Sequence, residues 1–166
     1  MKTIILSLLL VIISSGLFAQ DFEIPKNYKL DKVEDYALYE QDVIKCTDWL
    51  MKTPINEQPA KRKEVNTFLL KWLTGCPNVH LEIKQEIVTF VETSPDLLII
   101  FMAGWAKYSL ESKDFNNKIE ASKAGIESVI KFYSKNKQAL PKDKNIEKYL
   151  KMQEKGTLNE YIEKNA

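Results

Sequence analysis

Beyond residue 19, large apolar side chains recur three and four positions apart and rarely two. That rhythm belongs to the 3.6-residue turn of an α-helix, not to the alternation of a half-buried strand. Only Gly75, Gly104, Gly125 and Gly156 interrupt the same stretch, and so few glycines also favour helices over the many turns of an all-β chain.

The first nineteen residues follow a different rule. Lys2 precedes an unbroken apolar run from Ile4 to Ile13, then Ser14-Ser15-Gly16 and Leu17-Phe18-Ala19. A basic start, about 7–15 apolar residues and a small residue at the cut describe a secretory signal. The run falls short of the roughly 20 apolar residues of a membrane span. Cleavage is expected after Ala19, although Leu17 is larger than the usual residue three before the bond. No cysteine follows the run, so lipid attachment is not expected. The reading is therefore a signal peptide over 1–19, an extended arm over 20–30 and one helical domain over 31–166.

Of the 166 residues, 147 then remain, the size of a single ordinary domain with a real core. The whole chain carries 24 basic and 23 acidic residues, and losing Lys2 makes the remainder neutral. Neutrality argues against nucleic acid and against a charge-held membrane surface. The expected location is the periplasm or the outside of the cell, with no span left after the signal is removed.

The arm alternates Phe22, Ile24, Tyr28 and Leu30 with polar residues, and Pro25 prevents a helix there. A first helix is predicted over 32–53, with Asp31 and Glu34 as a capping box and Tyr36, Tyr39, Val43, Cys46 and Leu50 inward. A second runs over 59–74, started by Pro59 and stopped by Gly75 and Pro77. A third covers 81–92, with Ile83, Ile87, Phe90 and Val91 inward. Ser94-Pro95-Asp96 opens a fourth, to about 112, which is apolar around most of its circumference and therefore central. A fifth spans 115–136 with Asp114 as cap, and Gly104 and Gly125 suggest a close approach between the fourth and fifth. A sixth covers 144–155, and Thr157 with Glu160 caps a short terminal helix. The stretch Trp105–Tyr133 shares the rhythm of one tetratricopeptide-type hairpin, without its small residues at fixed positions.

Few residues here signal chemistry. His80 is the single histidine, so a multi-histidine zinc site is not available, and phosphate loops and nucleophile elbows are absent. No cofactor or metal is expected. Glu82 and Glu86, at helical i, i+4 spacing, read as a solvated face. Cys46 and Cys76 invite a disulfide in an oxidising compartment. A helical hairpin, however, would separate them by roughly 15 Å at about 1.5 Å per residue, against about 7 Å for a bridge. Both also suit packing as small apolar groups. Arg62 is the sole arginine and sits between Lys61 and Lys63. It reads either as a tie from Arg62 to Asp48 across the hairpin or as part of an anion-binding trio. The aromatic residues Trp49, Trp72, Trp105 and Tyr108 are either core or the lining of a groove for a peptide, glycan or apolar ligand. Trp49 lies off its helix's apolar stripe and is the best candidate for exposure.

The junction Leu17-Phe18-Ala19-Gln20-Asp21 and the lysine-rich, arginine-poor usage look like secreted proteins of Bacteroidota. Together with Asp48-Trp49-Leu50, Thr53-Pro54, Lys71-Trp72-Leu73-Thr74-Gly75, Gly104-Trp105-Ala106-Lys107-Tyr108 and Gly125-Ile126 to Tyr133, they make the chain similar to a family of small, uncharacterised, secreted helical proteins of that phylum. The resemblance implies an all-helical fold and export. It brings no activity to any residue.

The expectation is an all-α array of six to seven helices around a central apolar helix at about 96–112. The leading function is a non-enzymatic binding or interaction module of the cell envelope, with a protein or peptide as partner. The rivals are a hydrolase or lyase using carboxylates and tyrosine in a cleft, and a structural subunit or tetratricopeptide-like adaptor. A deep pocket with two buried ionisable groups would mark an enzyme, and a shallow groove without them a binding module.

Overall fold

The computed structural model describes residues 22–166, so the expected signal peptide and the first two arm residues lie outside the described residues. Seven α-helices and no strand make up the described chain: α1 (Val33–Leu38), α2 (Glu40–Lys52), α3 (Pro59–Gly75), α4 (Leu98–Ser112), α5 (Lys118–Lys135), α6 (Lys144–Glu154) and α7 (Leu158–Asn165). None is long and apolar enough to cross a membrane.

The predicted central helix is α4, which packs against α2, α3 and α5. Its residues Ile100, Phe101, Trp105, Ala106 and Leu110 are buried. A single 3-10 turn, Pro95–Leu97, leads into it. The most extensive contact is between α4 and α5, made close by Gly104 and Gly125. The arm is extended and lays Phe22, Ile24, Tyr28 and Leu30, all half-buried, on the core. Tyr28 anchors it, edge-on to Phe68 at 4.9 Å and to Tyr39 at 6.3 Å.

Two predicted elements differ. The first helix is two, parted at Tyr39, whose backbone leaves the helical region at φ −109° and ψ 6°. Its start is closed by Asp35 instead of Glu34: the Asp35 carboxylate accepts from the backbone N–H groups of Asp31 and Lys32, at 3.0 and 2.9 Å.

The predicted helix over 81–92 is absent; the segment is a chain of isolated turns. Ile87 and Phe90 are buried while Ile83, which a helix would place on the same face, is exposed. Backbone groups in the segment find partners elsewhere. The Tyr149 hydroxyl donates to Ile87 O at 2.9 Å, the Tyr161 hydroxyl to Glu86 O at 2.8 Å, and Asn145 Nδ2 to Thr89 O at 2.7 Å. These side-chain bonds from α6 and α7 replace a helical ladder. Burial pushes the Tyr149 phenol well above its usual range and keeps it a donor.

Three expected caps are also reassigned. Asn117 caps α5 in place of Asp114, its Oδ1 accepting from the Glu120 N–H at 3.2 Å. Ser94 caps nothing; its hydroxyl donates to Asp143 Oδ2 at 2.8 Å. Thr157 precedes α7 without a side-chain cap bond. The fully buried Asp143 caps α6 through the N–H groups of Asn145 and Ile146, at 2.9 and 3.2 Å. A buried carboxylate needs that many donors to remain in the interior.

Candidate functional site

Two surface hollows collect the residue types that bind or react. The larger, about 640 Å³, is an open groove between the arm and α3. Phe22, Ile24 and Tyr28 form its arm wall, and Ala60, Lys63 and Thr67 part of its helix wall. Pro25 keeps the arm extended, and α3 presents residues four apart to it.

The sequence candidates on α2 and α3 meet at one end of this groove. The Lys61 ammonium lies 5.5 Å from the Trp49 ring centroid and 5.9 Å from that of Phe22. Lysine over two aromatic faces is a cation–π arrangement. Trp49 is half-buried beneath it, consistent with its place off the apolar stripe. Lys63 is exposed on the groove wall.

Arg62 turns away, so the three cations do not form an anion-binding trio. It does not reach Asp48 either. Its Nη2 donates to the carbonyls of Thr53 and Pro54, at 2.9 and 2.8 Å, and its guanidinium stacks over Trp49 and Phe132 at 5.5 and 5.8 Å. These carbonyls follow the last turn of α2, where no helical donor remains for them. Burial lowers the Arg62 pKa from its usual value without threatening its charge. A structural tie is therefore present, but to backbone.

Arg62→Ala is expected to cost about 2 kcal/mol, from charged hydrogen bonds and stacking lost together. The loss should be the same in an Asp48→Ala background, because the two residues do not touch. Arg62→Lys should recover little of it. Urea denaturation measures all three, and a strong coupling to Asp48 would contradict this arrangement.

The second hollow, about 350 Å³, lies among α2, α4 and α5. Asp48 pairs there with Lys107, which also approaches Glu111 at 3.6 Å. Burial works to lower the Lys107 pKa, but the two carboxylates outweigh it and hold the ammonium above its usual value. Tyr108 and Ser128 line the same cleft.

Trp72 and Trp105 do not belong to a groove. Both are core, at 0% and 2% exposure. Trp72 Nε1 donates to Tyr36 O at 2.9 Å, and Trp105 lies edge-on to Phe101 at 6.0 Å. Glu82 and Glu86 share no helix face, since that helix does not form; Glu82 instead pairs with Lys118, which holds its carboxyl below the usual range. His80 is exposed in a loop. Among the described residues no three His, Cys, Asp or Glu side chains gather as a metal site.

Cys46 and Cys76 are buried free thiols, and the disulfide considered from their compartment is not formed. Burial, helped by Asp42, pushes the Cys46 thiol up to about 12, and burial raises Cys76 as well. Such thiols are poor nucleophiles at neutral pH. The folded protein should be inert to a thiol-specific chromophore, and two thiols should titrate once it is unfolded without reductant. A count of zero on unfolding would restore the disulfide.

The sequence pointed to Trp49, Lys61 and Lys63 but not to Phe22 and Tyr28 as their partners. The only signal for those two was the alternation of the arm. Compared with protein-family models, curated proteins and solved structures, the chain matches none.

Proposed function

We propose that this chain is a non-enzymatic binding module of the bacterial envelope, exported through a signal peptide over residues 1–19 and active in the periplasm or outside the cell. Its contact surface is the groove between the arm and α3, and its partner is a protein or peptide. The proposal extends to membership of the secreted Bacteroidota family that its sequence blocks resemble.

The observation that carries this reading is the character of the largest hollow. It is open, it mixes aromatic, aliphatic and lysine side chains, and its ionisable groups are solvated rather than buried. The fully buried carboxylate, Asp143, caps a helix elsewhere. Binding surfaces have this composition, whereas reaction centres hold desolvated titrating groups.

A second reading has one observation in its favour. Asp48, Lys107, Tyr108 and Glu111 converge on the cleft among α2, α4 and α5, as a carboxylate- and tyrosine-based hydrolase or lyase would require. Against it, both acid side chains are open to solvent and share Lys107 as their partner, so neither is a desolvated titrating group. A structural-subunit or tetratricopeptide-like adaptor role draws on the close α4–α5 hairpin alone.

The test is capture with the tagged protein from periplasm and medium, run beside Phe22→Ala and Asp48→Ala. A species retained by the parent and by Asp48→Ala, and lost with Phe22→Ala, supports the groove. Equal retention by all three removes the groove from the proposal. Loss only with Asp48→Ala moves the site to the second cleft.

A further inference from the structure

Few lysines of the described residues are held by carboxylates, and those that are lie mostly away from the arm. On α4 and α5 and the turn between them, Lys107, Lys113, Lys118 and Lys123 each pair with a carboxylate. Along the seam between the arm and α3 four exposed lysines gather. Lys26, Lys29, Lys63 and Lys71 are exposed and take no part in an ion pair among the described residues. The groove of 640 Å³ is followed along this seam by a smaller hollow of about 320 Å³, and Tyr28 lines both. Lys26 and Lys63 border the first, Lys29 and Lys71 the second. Glu23 and Glu64 border the first and Asp31 the second, so the seam is basic in balance without being a dense cationic surface.

The seam also has a period. Lys63, Thr67 and Lys71 recur every four residues, one stripe of α3 about 12 Å long at 1.5 Å per residue. In an extended peptide, same-face side chains four apart are separated by about 13 Å. The arm supplies the complementary wall. Between Phe22 and Tyr28 its backbone makes no backbone hydrogen bond among the described residues, so its N–H and C=O groups have no main-chain partner there. Pro25 removes one donor from the middle of that edge. The arm is therefore a short, interrupted edge, able to pair with a few residues of a guest chain and poorly suited to sheet aggregation.

We infer that the arm–α3 seam is a docking track for an extended acidic peptide. The peptide lies beside Phe22–Tyr28, takes main-chain hydrogen bonds from the arm, and sets carboxylates four residues apart against Lys63 and Lys71, with apolar side chains toward Tyr28 and Ile24. Strand addition to an exposed extended segment is an established mode of peptide capture. The alternating donors and acceptors of the arm favour a polypeptide over an anionic sugar chain, whose backbone offers no matching run of amide N–H and C=O groups. Glu23, Glu64 and Asp31 interrupt the lysines, so the continuous phosphates of a nucleic acid find no unbroken cationic row, whereas a peptide can space its carboxylates to the lysines alone. This inference rests on the groove being the contact surface proposed above, and it adds the chemistry of the partner.

The probe is a fluorescein-labelled octapeptide in which Glu alternates with Val and Thr, titrated with the full chain and followed by anisotropy. Saturable binding is expected, weakened at least about fivefold by Lys63→Glu/Lys71→Glu, since two favourable pairs become repulsive. Lys26→Glu/Lys29→Glu, on the arm, should weaken it as well, and gives an independent reading if the first variant melts. Lys142→Glu, exposed on the turn before α6, should leave binding unchanged. A peptide with Lys in place of Glu should not bind. No saturable binding of the acidic peptide, binding indifferent to both reversals, or displacement by an oligogalacturonate at lower concentration than by unlabelled peptide would each overturn the inference. If capture from the periplasm still depends on Phe22 while the peptide fails, the binding role stands and only the acidic-peptide partner falls.

Discussion

Trp72→Ala is expected to remove about 3–5 kcal/mol of stability, the largest loss of any single truncation in this molecule. Folded domains of this size hold about 5–15 kcal/mol in total, so a third or more of the margin is at stake. The indole is fully buried. Its removal leaves a cavity among α1, α2 and α3 and also takes away the donor for Tyr36 O, at 2.9 Å. That carbonyl keeps the Tyr39 N–H at 3.2 Å, so one of its two hydrogen bonds is lost rather than both. Because that bond fastens α1, a six-residue helix with no buried side chains of its own, α1 should fray first. Trp72→Phe separates the two contributions: it refills most of the volume and removes only the indole's hydrogen bond to the carbonyl, so a loss of about 1–2 kcal/mol is expected. Urea denaturation with an unchanged slope measures both. A loss below about 1 kcal/mol for Trp72→Ala would contradict its burial.

Gly125→Ala should be nearly as damaging although it adds one methyl group. A Cβ at Gly125 would lie 2.6 and 2.7 Å from two ring carbons of Phe101 and 3.0 Å from its backbone oxygen. Phe101 is fully buried against Trp105, so the ring has no free space to enter, and the carbonyl belongs to the α4 ladder. The helices must separate, at a cost of about 2–3 kcal/mol, in the upper range for overpacking. Gly104→Ala meets the Ser128 hydroxyl at 2.3 Å and the Ala124 carbonyl oxygen at 2.9 Å. Rotation of Ser128 moves only its hydroxyl, while its Cβ at 2.8 Å and the carbonyl stay in place, so the loss should be of similar size. Combining Gly125→Ala with Phe101→Leu should recover a portion of the stability, a non-additivity that a double-mutant cycle reads directly. Strict additivity would mean that Phe101 is not the obstacle.

Legibility in the sequence followed the length of the signal. The stripe of α3, from Val65 through Leu73, and its boundaries at Pro59 and Gly75 were readable because period, start and stop coincide there. The same agreement gave α4 its central place: a helix apolar on most sides has to be surrounded. The segment 81–92 carried a helical spacing as well, but its β-branched Ile87 and Val88 are both buried, and the hydroxyls that take its carbonyls lie about 60 to 75 positions further on, in Tyr149 and Tyr161. Local periodicity cannot weigh partners at that separation.

The candidate site shows the same division. Trp49 stood out because it left its stripe, and Lys61 and Lys63 because they flank the sole arginine. That Lys61 would meet two rings, that Arg62 would turn to the α2 carbonyls, and that Asp48 would take Lys107 were decided by how α2 crosses its neighbours. A hairpin register drawn from loop length placed Asp48 opposite Arg62; the packing of α2 on α4 turned it to the other side. Trp72 and Trp105 carry no mark in the sequence to separate core from groove, since an indole serves in either.

Local pattern and counting gave the helical class, the central helix, the near-balance of charge at +1 and the expectation of export. The tertiary structure alone decided which cations share a groove with which rings, which lysines stand without a carboxylate, and that both cysteines remain thiols. Those are relations between side chains brought together from distant parts of the chain, and their pairing depends on helix crossings set by core packing, which local spacing does not encode.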